Sequence, residues 1–152
     1  KTNGGKIMPI KTFRGLLTDT ETKRIRLGTV NGMTGYRIKK FQLIAHKPGA
    51  QEYETTVTIQ KVAFDGSPSN DINFDDANIL AVGYMAGHDG TTYPQVNEVL
   101  IFDNSIVNQD IYIGANDRQS NAMNYYLELE QVKLNANSQA VVTLKDIRSN
   151  TT

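Results

Sequence analysis

The chain has no cysteine and no tryptophan, and only two histidines among 152 residues. Without cysteine there are no disulfides, no thiolate metal sites and no cysteine nucleophile, so packing, strand pairing or assembly must hold the chain together. Without tryptophan there is no indole platform for stacking sugars. No stretch approaches the ~18–20 apolar residues of a membrane helix, so no membrane partner is expected. The opening residues, KTNGGKIMPIKTF, contain no apolar core of the kind a signal peptide needs. Residues 1–10 are expected to be a flexible basic arm and residues 149–152 a frayed tail.

The next notable feature is the distribution of charge. Residues 1–47 carry eleven lysines and arginines against two acids, Asp19 and Glu21, a net +9. Residues 48–132 carry thirteen acids against Lys61 and Arg118, a net −11. The whole chain is neutral. Such asymmetry concerns partners or internal pairing. The length fits one domain, expected over residues 11–148, and suffices to bury a self-sufficient core. A hydrophobic fraction of 39% fits strands with one wet face.

Strand patterns dominate. In TKRIRLGTV (22–30), Ile25 and Leu27 alternate with Arg24 and Arg26, the period of a half-buried strand. In YRIKKFQLIA (36–45) the alternation through Tyr36 and Ile38 shifts phase to Phe41 and Leu43, which predicts a bulge near Lys39–Lys40. Tyr53, Thr55, Val57 and Ile59 share a face in 52–62, and ILAVGYMA (79–86) reads as a central strand covered on both sides. Further strands are predicted over 11–17, 97–102, 106–114, 123–134 and 139–147, with Glu128 and Glu130 of 123–134 facing water. Residues 63–78 form a long acidic connection, anchored by Ile72 and Phe74. About nine strands at roughly 8–12-residue spacing indicate an all-β, antiparallel β-sandwich of jelly-roll or Greek-key type.

Catalytic constellations fail one by one. His46 and His88 lie in turns, with no nucleophile elbow to serve. Glu128 and Glu130 share a strand face, which solvent exposure explains without glycoside chemistry. NGMTG (31–35) lacks the lysine and the following helix of a phosphate loop. Asp71, Asp75 and Asp76 crowd one loop with several asparagines and are candidate Ca²⁺ ligands, although the spacing is not that of an EF-hand. No other cofactor is implied, and the chain reads as a non-enzyme.

The basic stretch offers three readings. Arg24, Arg26, Arg37 and Lys39 alternate, so neighbouring strands 22–30 and 36–45 would gather them into one patch. Such a patch suits phosphate backbones, yet Tyr36 and Phe41 read as core rather than base-stacking residues, so nucleic acid is disfavoured. The cations can instead pair with acidic strands of the same chain, or dock on acids of another copy or a lattice.

The run IFDNSIVNQDIYIGANDRQSNAMNYYLELEQVKLNANSQAVVTLKDIR, with its FDN, NQDIYI, NYYLELE and TLKDIR segments, resembles small β-rich proteins encoded beside the head genes of marine tailed phages. LGTVNGMTGYRIKKFQL is similar in pattern. The resemblance implies a virion structural protein, a capsid decoration or cement component on the capsid surface, and it transfers no active-site residues. The expected partners are the capsid lattice and copies of the chain itself, with a trimer preferred. The expected contact residues are Lys6, Lys11, Arg14, Arg24, Arg26, Arg37 and Lys39. The alternative is a carbohydrate-binding module for surface attachment, using Tyr84, Tyr93 and the loop acids with Ca²⁺.

Overall fold

The computed structural model describes residues 9–89 and 95–150, apart from the side chains of 146–150. Its elements are β1 (Ile10–Leu17), β2 (Thr22–Ile25), β3 (Thr34–Ala45), β4 (Tyr53–Gln60), β5 (Ile79–Gly87), β6 (Val96–Ile101), β7 (Ile111–Asp117), β8 (Met123–Lys133) and α1 (Ala136–Asn150). The strands form two antiparallel sheets, ordered β1-β8-β3 and β2-β7-β4-β5-β6. β1 starts at Ile10, the last residue assigned to the arm, and α1 runs into the expected tail.

Period-2 alternation places the core. On β8, Met123, Tyr125, Leu127 and Leu129 are buried and stand opposite Leu17, Gly15, Phe13 and Lys11 on β1. Across the other edge of β8 they meet Ala45, Leu43, Phe41 and Ile38 of β3. Val57, Ile59, Ile111, Ile113 and Ala115 of the five-stranded sheet join the same cluster. Burying a leucine such as Leu127 contributes about 1.5–3 kcal/mol. Gly83 of β5 lets the sheets approach, since a Cβ there would lie 2.6 Å from Leu43 Cδ1 and 3.3 Å from Phe41 Cε2.

The predicted bulge is present, with a register shift between Ile38 and Lys40. Arg37 then stands opposite Glu130, and Lys40 opposite Glu128. Glu130 is 8% exposed, which corrects the expectation that it faces water. Its burial is tolerable because cations on β3 meet it.

Three further expectations are corrected. Segments 22–30 and 36–45 are not neighbours: β2 pairs with β7, and β3 with β8 in the other sheet. The Asp110 carboxylate ends β2 by accepting the N–H groups of Leu27 and Gly28, each at 2.8 Å. Tyr36 meanwhile bridges to Val107. The four-cation patch therefore does not form.

The predicted ninth strand, 139–147, lies within α1, leaving eight strands among the described residues. Asn135 caps this helix: its Oδ1 accepts the Ser138 N–H at 2.8 Å, the N-cap to N3 bond. Asn108, fully buried, docks the helix by donating from Nδ2 to Thr143 Oγ1 at 2.6 Å and to Gly32 O at 3.1 Å. The cap and this dock outweigh the β-branched Val141-Val142-Thr143 run.

Ile72 and Phe74 are not tucked into the core; they are 41% and 62% exposed, and Phe74 touches the Phe102 ring edge-on. The close packing of the 63–78 connection on the sheet comes from Pro68 and Phe64. A Cβ on Gly114 of β7 would lie 2.6 Å from Pro68 Cγ and 2.9 Å from Phe64 Cε2. Asn116 Nδ2 also donates to Pro68 O at 2.9 Å. The connection thus covers the outer side of β7, which is consistent with the burial of outward-facing Thr56, Thr58 and Val82 nearby.

Candidate functional site

The sequence-derived contact residues occupy separate places. Lys6 lies outside the described residues, as does Tyr93. Lys11 sits on β1 with its Nζ 5.5 Å from the Tyr36 ring centroid. The rest divide between one sheet face and one groove.

The outer face of the three-stranded sheet is built by the alternate residues of three strands. β8 contributes Asn124, Tyr126, Glu128 and Glu130, flanked by Ile10, Thr12 and Arg14 of β1. β3 contributes Arg37, Lys40, Gln42 and Ile44. Arg37 Nε donates to Glu130 Oε2 at 2.6 Å, and Lys39 Nζ lies 3.6 Å from the same oxygen. The Arg37 hydrogen bond, aided by both positive charges, holds the Glu130 carboxyl below its ordinary value despite burial. The Tyr126 hydroxyl donates to Glu128 Oε1 at 2.7 Å, which raises the phenol pKa. Lys40 Nζ lies 6.0 Å from the Tyr126 ring. Four cations (Arg14, Arg37, Lys39, Lys40) thus surround two carboxylates, leaving the face positive. Lys40 completes this set and was missed by the sequence reading, although the phase shift at Lys39–Lys40 was its signal.

The second cationic place is a groove of about 340 Å³ at the end of β2, lined by Arg24, Arg26, Lys61, Gln109, Asp110 and Tyr112. Arg24 Nε donates to Asp110 Oδ2 at 2.6 Å. Burial pushes the Asp110 carboxyl up, but the Gly28 and Leu27 N–H groups and Arg24 together leave it below its ordinary value. Arg24 is correspondingly stabilised as a cation, chiefly by its hydrogen bond to Asp110. The sequence pattern places Asp110 within the predicted 106–114 strand, whereas it precedes β7 and is the acceptor that closes the β2 end.

The other candidates separate. Asp71 N–H bonds Ser69 Oγ, Asp75 N–H bonds Asn73 Oδ1, and Asp76 Oδ1 accepts from Asn78 N–H, so these polar side chains turn the loop. Among the described residues no group of three or more histidines and acids is placed to hold a metal ion, and Asp71, Asp75 and Asp76 do not form one. His88 Nδ1 lies 2.9 Å from Glu52 Oε1, with both side chains nearly half exposed. They border a groove of about 310 Å³ with Tyr53, Glu54, Tyr84 and Gln119, to which the described residues bring two phenol hydroxyls. Tyr84 donates to Glu54 Oε1 at 3.2 Å. The Tyr53 hydroxyl is buried without a hydrogen-bond partner among the described residues, and burial raises its pKa. No helix among the described residues is long and apolar enough to cross a membrane.

No known family matches the chain, and no curated protein is similar to it.

Proposed function

We propose that the chain is a non-enzymatic structural protein of a virion, a capsid decoration or cement component that attaches through the outer face of its three-stranded sheet. The observation that carries this reading is that face: four cations around two buried or hydrogen-bonded acids, with Ile10 and Ile44 49% and 61% exposed at its two ends. A broad, mixed, positively biased strand surface suits an extended protein lattice better than a small substrate. The resemblance of residues 101–148 to phage head-associated proteins points the same way.

We also read the fold as a jelly roll. Folding one long antiparallel hairpin onto itself pairs strand 1 with 8, 2 with 7, 3 with 6 and 4 with 5. Ladders join β1 to β8, β2 to β7 and β4 to β5. The remaining couple, β3 and β6, is bridged by Asn97 Nδ2 donating to Leu43 O at 3.2 Å. Jelly rolls recur in capsid and lectin domains, so this supports a class of roles rather than one.

Co-sedimentation with capsids from the same source tests the attachment. Wild type is expected to bind at low salt and to dissociate as screening rises. Arg14→Glu/Lys40→Glu, which spares the Glu130 pairs, is expected to abolish binding; unchanged occupancy rejects the face as the attachment site. A carbohydrate-binding role has one observation in its favour, the gathering of Tyr84, Glu54 and Gln119 in one groove. Glycan-array binding lost in Tyr84→Ala supports that reading, and a blank array removes it.

A further inference from the structure

We infer that the Arg24–Arg26–Lys61 groove is the docking site for the acidic 71–76 loop of a second copy of this chain. The inference rests on the assembly reading above and names the surfaces by which copies meet. The groove belongs to the five-stranded sheet and leaves the cationic face of the other sheet free for a lattice.

The groove is built and positively biased. Asp110 is only 14% exposed along its side chain, and its oxygens already accept from Leu27, Gly28 and Arg24. It fixes the Arg24 guanidinium in place and has little capacity left to neutralise a second cation. Arg24 uses Nε and one terminal nitrogen on Asp110, so the guanidinium keeps further N–H donors for an incoming acceptor. Arg26 is exposed beside it, and Lys61 follows β4. Three cations against one satisfied carboxylate call for acceptors from outside.

The same chain carries the complement. Asp71, Asp75 and Asp76 are all exposed, and Ile72 and Phe74 between them are also exposed. Phe74 is held by an edge contact with Phe102 at 5.0 Å between centroids, so the apolar part is presented by an ordered ring. Acids around an aromatic anchor match a groove that offers cations, the Tyr112 ring and the aliphatic stems of Arg26 and Lys61. Charge complementarity of this kind sets register and encounter rate, while the apolar contact supplies affinity.

A charge swap tests the pairing by sedimentation velocity without capsids. At about 0.01 M salt, where the screening length is about 30 Å, wild type should sediment as an oligomer, and at about 1 M, where it is about 3 Å, as a lighter species. Arg26→Glu/Lys61→Glu should weaken self-association by about a hundredfold, as should Asp71→Lys/Asp75→Lys, because each places like charges together. Combining all four should restore it. Circular dichroism on every variant checks folding, which three exposed positions and the half-buried Lys61 are expected to leave intact. A wild type that stays at 16.9 kDa at low salt overturns the inference, as does a combined variant that stays dissociated. Inorganic phosphate bound in the groove of a monomeric chain overturns it too, by assigning the groove to a small oxyanion. Capsid co-sedimentation run in parallel separates the two readings: loss of self-association with capsid binding retained concerns the groove alone.

Discussion

Gly114→Ala is the sharpest test of the long acidic connection as a cover. The new methyl would stand 2.6 Å from Pro68 Cγ and 2.9 Å from Phe64 Cε2 and Cζ, contacts that force movement. Overpacking of this degree costs about 1–3 kcal/mol. For a chain of this length that lowers Tm by about 2–12 °C. The sign of the effect depends on the cover. With Phe64→Ala/Pro68→Ala in the background the obstruction is gone, and alanine then relieves the entropic cost of a strand glycine by about 0.5–1 kcal/mol. The same substitution should therefore destabilise wild type and become neutral or stabilising in that background. Urea unfolding of the four proteins measures both values, and protease cleavage within 65–78 should rise in Gly114→Ala. Equal effects in the two backgrounds, or a neutral Gly114→Ala in wild type, would refute the packing of Phe64 and Pro68 on β7.

The remaining predictions concern charge, the helix and the core. Asp110 and Glu130 are held below their ordinary values of 3.8 and 4.5, so their contribution is complete above about pH 4.5 and is lost as pH falls through the lowered values. Glu130→Gln should accordingly flatten the fall of stability with acid, as read from Tm against pH. Asn108→Ala removes the Asn108 donor from Gly32 O and leaves Thr143 Oγ1 with Gln139 Nε2 alone, at a cost of about 1–3 kcal/mol, and should speed amide exchange across 136–145 ahead of the strands. Leu127→Ala, at a fully buried position under both sheets, should cost about 2–5 kcal/mol in urea unfolding.

What was legible in the sequence was whatever depends on period. The alternation of Tyr125, Leu127 and Leu129 in 123–134, the core placement of Tyr36 and Phe41, and the bulge at Lys39–Lys40 all follow from side chains taking opposite faces, and each is found. Pairing between distant segments was not legible. Nothing local in TKRI indicates that β2 joins β7 instead of β3; that follows from Asp110 capturing two backbone N–H groups across 82 and 83 positions of sequence. The 139–147 segment reads as a strand because its β-branched Val141-Val142-Thr143 run outweighs a quiet helix signal, Asn135 followed by Ala136, Ser138, Gln139 and Ala140. Ile72 and Phe74 are no better marked as anchors by their chemistry than Phe64, because the deciding partner, Gly114, lies on a strand about 50 positions away.

The opposed charges of the two halves do meet, as the Arg24–Asp110 and Arg37–Glu130 contacts demonstrate. What those pairs leave over is the basis for the attachment reading. The most direct test is capsid co-sedimentation of wild type and Arg14→Glu/Lys40→Glu across a salt series. Salt-sensitive occupancy in wild type and none in the variant is the predicted result. Equal occupancy of the two proteins, or no occupancy by wild type at any ionic strength, contradicts the account.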